Sequence, residues 1–209
     1  MTSAMLSSPA ALRNRGPILE VLRRHLPASG AVLELASGSG EHVIHFAAAC
    51  PALVFQPSDP DAGARASIAE RIEQGQLTNV RAPIAIDATG DDWSLPKEIA
   101  ASLAAIVCIN MIHISPWSAA LGVLRSAGKL LPADGVLFLY GPYRRGGRHT
   151  APSNDAFDRD LRARNPDWGV RNVEDVVAEG AAQRLALAEI VEMPANNLSV
   201  VLRHRGNLV

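Results

Sequence analysis

The residues of this 209-residue chain that are best suited to binding or chemistry lie between positions 32 and 42. There Glu34, within a short apolar run, precedes a turn of small residues, which are Ala36, Ser37, Gly38, Ser39 and Gly40. Glycine has no Cβ, so Gly38 and Gly40 would let the backbone approach a ligand closely. Backbone N–H groups at the start of the next helix could then bind a carboxylate or an adenosine. The pattern predicts a nucleotide-type site, and a turn without a ligand is the structural alternative.

Carboxylates that follow the second and third apolar runs could hold the rest of such a ligand. Asp59 is placed to accept hydrogen bonds from both ribose hydroxyls, whereas Asp61 could do so or could cap the next helix. Asp87 could accept from an adenine amino group, and a turn-forming aspartate is its structural alternative. Trp93 could cover the adenine face, although a solitary aromatic residue is more often part of the core. We therefore place Asp59 at the ribose and Asp87 at the adenine.

Candidates for contact with a second substrate follow the fourth and fifth apolar runs. Asn110 and His113 come first, and an imidazole with a pKa of about 6.5 can take a proton from a hydroxyl or an amine. A histidine satisfied by backbone groups is the alternative. Tyr143 and Arg144 lie in a flexible basic loop, 140–149, where they could hold an anionic group or be merely solvated. Ligands of open α/β sheets bind at the carboxyl edge of the strands, so these residues are the substrate-side candidates.

A second basic segment precedes the first predicted helix. Arg13, Asn14 and Arg15 lie within residues 1–16, which we expect to be a flexible lid or a disordered terminus. As part of a lid, Arg13 and Asn14 would contact the substrate. Two basic segments in a chain of net charge −1 favour a bounded anionic ligand over a polyanion.

Apolar runs and helical periodicities alternate along the chain and predict the elements that position these residues. Strands are predicted at 31–35, 53–56, 80–86, 105–110 and 135–140, and helices at 17–26, 41–49, 61–74, 96–103, 118–131, 154–164 and 173–180. This alternation favours a parallel sheet with helices on both faces. The last two strands, 186–193 and 198–204, are so close in sequence that they permit an antiparallel hairpin but no parallel crossover.

Segment 32–42 resembles motif I of class I methyltransferases, in which an acidic residue in the first strand precedes a glycine-rich turn. Ala36 stands where that motif usually has its first glycine. A terminal hairpin also fits this class better than a nicotinamide-binding domain, and Val43 stands where the dinucleotide motif needs a small residue. We predict a Rossmann-like α/β class I methyltransferase fold: a three-layer sandwich with a mostly parallel seven-stranded sheet and a C-terminal antiparallel hairpin.

Longer strings around these residues look like the DUF938 family, also called methyltransferase-like 26. They comprise residues 13–19, 33–42, 55–59 and 110–117. In that family Ala36 would be a normal residue, and Gly141, Pro142 and Tyr143 also look like family material. The resemblance implies a methyltransferase fold and S-adenosylmethionine as cofactor, but no settled substrate. The residues that we expect to hold this cofactor are Glu34, Ala36, Ser37, Gly38, Gly40, Asp59, Asp87 and Asn110.

The resulting hypothesis is in-line methyl transfer to a small acceptor, which the basic segments suggest is anionic. Such a reaction depends on alignment and water exclusion more than on a protein nucleophile. Asn110, His113 and Tyr143 are the catalytic candidates. Two alternatives stay open: a protein that binds S-adenosylmethionine without catalysis and, less favoured, an NAD-dependent oxidoreductase.

Composition sets the remaining expectations. A hydrophobic share of 48% over 209 residues suits one domain, 1–209. The net charge of −1 and the aromatic share of 4% disfavour a nucleic-acid partner. Two cysteines, Cys50 and Cys108, are too few for a disulfide framework or a zinc site, so we expect a reducing cytoplasm and no metal. Without an apolar run of about 18 residues, no membrane segment is expected. Oligomeric state stays open.

Overall fold

The computed structural model describes residues 5–90 and 92–206, and helices alternate with strands through most of them. The described residues fall into two compact units. The first comprises residues 5–87 and 94–107, and the second comprises residues 88–90, 92–93 and 108–206. None of the helices that the structure describes combines the length and the apolar character needed to cross a membrane. The expectation of a single domain stays a prediction.

The first unit carries the turn at 36–40. Its elements are α1 (Pro9–His25), β1 (Gly30–Leu35), α2 (Glu41–Ala49), β2 (Leu53–Pro57), α3 (Ala62–Gly75), α4 (Lys97–Ser102) and the start of β3 (Leu103–Ile109). β1 and β2 are parallel, with Glu34 opposite Pro57. All of β1 after its first residue is buried, as expected for a parallel strand covered on both faces.

The second unit begins with the last residues of β3 and a short 3₁₀ turn, Met111–His113. Its further elements are α5 (Trp117–Leu130), β4 (Val136–Gly141), β5 (Tyr143–Arg145), β6 (Arg148–His149), α6 (Pro152–Arg164), β7 (Arg171–Asn172), α7 (Val173–Ala182), β8 (Leu185–Met193) and β9 (Asn197–His204). β9 pairs antiparallel with both β4 and β8. The predicted α/β class and terminal hairpin are confirmed.

Among the described residues the main sheet has six strands rather than the predicted seven, in the order β2-β1-β3-β4-β9-β8. Segment 80–86, predicted as a strand, forms only isolated bridges at Val80 and Ile84. Pro83 lies between them and has no N–H to donate to a ladder. The carbonyl of Ala82 accepts instead from the side chain of Gln56, at 2.8 Å.

Two further predictions of local structure are wrong. The first helix begins at Pro9 rather than Pro17, since the Ser8 side chain caps it by accepting from the Ala11 N–H at 3.2 Å. Pro17 is tolerated inside the helix, where Gly16 offers no Cβ to the proline ring. Segment 140–149 is not a flexible loop: β5 and β6 form a hairpin, and β5 also pairs in parallel with β7.

A substitution at Gly122 in α5 tests how closely the second unit is packed. A Cβ at this position would overlap the carbonyl oxygen of Ala88. We expect Gly122→Ala to lower the free energy of unfolding by about 3 kcal/mol, because backbone must move to admit it. Gly75→Ala is the matched control, since its Cβ would make only ordinary contact, 3.7 Å from Leu77 Cγ. Urea denaturation of both variants measures the difference, and equal effects would contradict this packing.

Candidate functional site

The turn between β1 and α2, residues 36–40 and here called the glycine turn, is held in left-handed backbone conformations. Ala36 has a φ of 50°, Gly38 of 55° and Gly40 of 83°. For alanine this region costs about 1–2 kcal/mol. Neighbouring bonds offset that cost: Ser37 N–H donates to the Ser58 carbonyl at 2.8 Å. Strain retained in this way is typical of functional turns.

The two glycines of this turn have different surroundings. A Cβ on Gly38 would meet nothing nearer than the Ala36 carbonyl oxygen at 4.0 Å. A Cβ on Gly40 would lie 3.1 Å from Ile68 Cγ1 and 3.2 Å from Ile68 Cα. Gly40 is therefore required for packing against α3, whereas Gly38 leaves space that a ligand could use.

Asp59 lies beside Gly38 of the turn and is largely buried. Its Oδ2 accepts from the Gly38 N–H and its Oδ1 from the Asp61 N–H, both at 2.9 Å. A carboxylate has about four lone-pair sites, so it keeps acceptor capacity for hydroxyl groups. Asp61 is used differently: its side chain accepts from the Ala64 N–H at 2.7 Å and caps α3. Between the two alternatives, the geometry favours Asp59 for a ligand.

Glu34 is a buried carboxyl group at the base of the turn. Its Oε2 has no hydrogen-bond partner among the described residues. Burial raises the pKa of Glu34 to about 8; a hydrogen bond from Ser37 lowers this pKa and the nearby charge of Asp59 raises it. The side chain is therefore mostly protonated at neutral pH and lines the turn without adding a second negative charge to that of Asp59.

Asp87 and Trp93 have contrasting environments. Asp87 is exposed, and the preceding Ile86 is buried. Its predicted contact with adenine stays a prediction. Trp93 belongs to the second unit and is 4% exposed, which favours the packing alternative for this residue.

The basic segment at 13–15 lies within α1. Asn14 Oδ1 is 2.8 Å from His42 Nε2, so α1 is hydrogen-bonded to the first turn of α2. Burial lowers the pKa of His42 to about 4; the charge of Glu41 raises it, and those of His45 and Arg15 lower it further. Arg13 is exposed. Substrate contact by Arg13 and Asn14, and a lid at 1–16, stay predictions; residues 1–4 lie outside the described residues.

In the second unit, Asn110 ends β3 in a left-handed conformation, with a φ of 62°. Its N–H donates to the Tyr140 carbonyl at 2.7 Å, which fixes the backbone, and its side chain is half-buried. A Cβ on Gly141 would lie 3.3 Å from Asn110 Oδ1 and would overlap His113 Nε2. Gly141 was part of the resemblance to the DUF938 family, and its lack of a side chain leaves room here for both Asn110 and His113.

His113 is completely buried, which favours the structural alternative that the sequence left open. Its Nδ1 accepts from the Arg171 N–H at 3.3 Å, while Nε2 finds no partner within residues 5–90 and 92–206. Burial lowers the pKa of His113 to about 3; the charge of Arg171 lowers it further, whereas the charge of Asp158 and a hydrogen bond to the backbone of Gly169 raise it. A neutral imidazole that solvent cannot reach is poorly placed to accept a substrate proton.

Tyr143 and Arg144 are also engaged by the protein. Tyr143 is fully buried, and its ring packs edge-on against that of His113, with 4.8 Å between the ring centroids. Burial raises the pKa of its hydroxyl well above the usual value, and the nearby Cys108 raises this pKa further. Arg144 forms an ion pair with Asp158 at 2.5 Å. Catalysis by Tyr143 and substrate binding by Arg144 stay predictions.

Sequence reasoning missed the two residues that organise this region, Asp158 and Arg171. Asp158 accepts from the Val170 N–H at 2.7 Å and from Arg162 at 3.1 Å, besides Arg144. Arg171 donates to the carbonyls of Ile112, Ser115 and Asp167 at 3.0, 2.6 and 2.8 Å. It thereby fixes the loop that carries His113. Both residues lie about fifty positions beyond that loop, and no local pattern marks them.

Within the part of the chain that the structure describes, no three His, Cys, Asp or Glu side chains are grouped to hold an ion, and the absence of a metal stays a prediction.

Comparison with protein families identifies the group to which these features belong. The family described as "Protein of unknown function (DUF938)" matches residues 5–204. The chain belongs to the DUF938 family. The match includes the glycine turn, Asp59 and the segment from Asn110 to Arg171.

Solved structures similar to this DUF938 protein are methyltransferases. An O-methyltransferase family protein from Burkholderia thailandensis has a TM-score of 0.76 at 14% identity, over 95% of this chain and 58% of that one. The mitomycin 7-O-methyltransferase MmcR has a TM-score of 0.76 at 13% identity, over 93% and 54%. PigF, solved with SAH, has a TM-score of 0.74 at 15% identity, over 93% and 55%. The methyltransferase fold is thereby shown, and the chain spans little more than half the length of these proteins.

The burial of His113 generates a prediction about pH. The pKa of His113 is about 3 in the folded protein, against the ordinary histidine value of 6.5. The unfolded chain therefore binds more protons between these values, so stability is present above pH 6.5 and is lost as pH falls. From pH 6.5 to 5, His113 should account for about 2 kcal/mol of lost unfolding free energy. In His113→Asn, whose amide oxygen can accept from the Arg171 N–H, this part of the loss should vanish. Urea denaturation at several pH values measures both slopes, and equal slopes would refute the assignment.

Proposed function

We propose that this DUF938 protein is an S-adenosylmethionine-dependent methyltransferase that acts on a small acceptor. One observation carries the proposal: Gly38, whose Cβ position is open, donates its N–H to the carboxylate of Asp59 at 2.9 Å. This pair combines free space, strained backbone and an acceptor for hydroxyl groups in a protein with the methyltransferase fold. Fold alone does not specify function, so the site has to supply the argument.

The residues of the first unit fit an adenosyl amino-acid donor. Asp59 would accept from the ribose hydroxyls, and Gly38 would admit the ligand against the backbone. The buried Glu34 has an oxygen with no partner among the described residues, which suits a site completed by a polar ligand. Ala36, Ser37 and Gly40 would hold the shape of the turn, and Asp87 would contact the base.

When bound, the donor supplies a methyl group on a positively charged sulfur. The chain then has to orient and exclude water rather than provide a nucleophile. The rigid glycine turn serves the first task, because Ser37 and Gly40 are joined by a backbone hydrogen bond of 2.9 Å. A neutral Glu34 would add no further negative charge to that of Asp59.

For the acceptor, the second unit offers Asn110 as its half-buried polar candidate. We propose that Asn110 contacts the acceptor and that His113 and Tyr143 support its position from the core. A small acceptor is supported by one similar structure whose name specifies methylation of mitomycin oxygen. An anionic acceptor has weaker support, since Asp158 already balances the charge of Arg144.

A second candidate function is donor binding without catalysis. It is favoured by one observation: the imidazole of His113 and the hydroxyl of Tyr143 are both inaccessible to solvent. Incubation with donor labelled at the methyl group and a metabolite extract distinguishes the two, because only a methyltransferase moves label into a new small molecule.

The placement of the donor is tested by filling the space at Gly38. Asparagine tolerates the left-handed region, so Gly38→Asn should keep the turn and place a side chain on its open side. We expect it to weaken binding of S-adenosylhomocysteine, measured by calorimetry, by at least about tenfold, or 1.4 kcal/mol. Gly146→Asn is the matched control, with a φ of 54° and equally open surroundings in the β5–β6 turn. Tighter binding of NAD by the unchanged protein would instead favour an oxidoreductase.

A second pair of variants distinguishes Asp59 from Asp61 as the residue that binds the ribose. Asp59→Ala should weaken binding of S-adenosylhomocysteine by about 1.5–3 kcal/mol through loss of hydrogen bonds to a charged acceptor. Asp61→Ala should lower unfolding free energy by about 1 kcal/mol through loss of the α3 cap, with little change in affinity. Calorimetry and urea denaturation of both variants give the four values. A loss of affinity confined to Asp61→Ala would reverse the assignment.

A further inference from the structure

Residues 6–8, here called the amino-terminal segment, are hydrogen-bonded to side chains of α2 and α3. The Leu6 N–H donates to Ser67 Oγ at 2.8 Å, and the Leu6 carbonyl accepts from Arg71 at 2.5 Å. The Ser8 N–H donates to Glu41 Oε2 at 2.9 Å. Both backbone groups of Leu6 are thus satisfied by side chains, as they would be by a neighbouring strand.

The same three side chains also bind Ser39 in the glycine turn. Its carbonyl accepts from Ser67 Oγ at 3.1 Å and from Arg71 Nε at 2.7 Å. Its hydroxyl donates to Glu41 Oε2 at 2.9 Å. Ser67, Arg71 and Glu41 therefore each bridge the amino-terminal segment and the turn.

Burial and charge make this bridge rigid. Ser67 is fully buried and Glu41 nearly so, and the Arg71 guanidinium lies 3.3 Å from Glu41 Oε1. Charge-assisted hydrogen bonds are about twice as strong as neutral ones. Gly40 is packed against Ile68 on the same side, so the turn is fixed here, whereas the Cβ position of Gly38 is open.

From this geometry we propose that Ser67 and Arg71 are positioning residues that couple docking of the amino-terminal segment to donor binding at the glycine turn. The donor-binding part rests on the proposed function. Coupling between two sites is reciprocal: if the segment stabilises the turn that binds the donor, the donor stabilises the docked segment. The segment is then part of the frame of the site, in contrast to a lid that closes independently.

The test combines amide exchange by NMR with calorimetry. In the ligand-free protein the N–H groups of Gly38 and Gly40 donate to Asp59 and to the Ser37 carbonyl, so their exchange rates report on the turn. We expect Ser67→Ala and Arg71→Ala each to accelerate both rates about tenfold and to weaken binding of S-adenosylhomocysteine about tenfold. Ser67→Ala changes one buried oxygen and should leave the fold intact.

Arg23→Ala is the matched control. Arg23 also joins α1 to α2, but at the far end of α2, where it donates to the Ala49 carbonyl at 2.6 Å. Its removal should leave the turn rates and the affinity within about twofold. In the unchanged protein, S-adenosylhomocysteine should slow exchange of the Leu6 and Ser8 N–H groups, which a purely structural bridge would not require.

The outcomes separate the two proposals. Suppose that Ser67→Ala and Arg71→Ala both accelerate amide exchange at Leu6 and Ser8 but leave the exchange rates of Gly38 and Gly40 unchanged. This result would overturn the coupling, whichever ligand the protein binds. Coupled exchange in a protein that does not bind S-adenosylhomocysteine would support the bridge and overturn the methyltransferase proposal. Equal affinity in the unchanged protein and both variants would overturn the positioning role while leaving the methyltransferase proposal standing.

Discussion

The left-handed backbone between β1 and α2 is the constraint on which the rest of the candidate site depends. Three positive φ values within five residues leave few ways to connect a buried parallel strand to the next helix. The turn keeps this shape because each of its sides has a separate partner. Asp59 binds the Gly38 N–H, while α3 holds Ser39 and packs against Gly40. One face of the turn is thereby closed, and the other is left open at Gly38.

The second unit solves a different problem, the burial of several polar side chains in one region. Asp158 is the buried carboxylate that forms ion pairs with Arg144 and Arg162. The Arg171 guanidinium donates its hydrogen bonds to backbone carbonyls. Such groups are stable in a core only when paired, since an unpaired buried charge is costly. His113 is buried neutral in the same region. This arrangement orders the loop after β3 without exposing an obvious proton acceptor, which is consistent with chemistry that depends on alignment.

Fold and chemistry rest on different evidence in this DUF938 protein. Similarity to solved methyltransferases is extensive in backbone and low in sequence, at 13–15% identity for the three structures compared. At that level the backbone path is retained while the side chains that select an acceptor can differ completely. Local features of this chain therefore decide what it can bind, above all the open space at Gly38 and the carboxylate of Asp59.

The sequence by itself determined the α/β class, most element boundaries and the terminal hairpin, because apolar periodicity and turn residues act locally. It also located the glycine turn, since glycine and small residues after an apolar run have few other uses. Pro83 was present in the sequence, but its effect on the predicted strand at 80–86 became clear only from the bridges on either side of it.

Only the tertiary structure decided which polar residues are available to a ligand. Gly38 and Gly40 look equivalent in sequence, yet α3 closes one and not the other. His113 looks like a base, yet burial makes it neutral. Arg71, Asp158 and Arg171 carry no local signal, because their partners lie far away along the chain. Burial and long-range hydrogen bonds depend on how distant segments pack, and sequence periodicity does not record that packing.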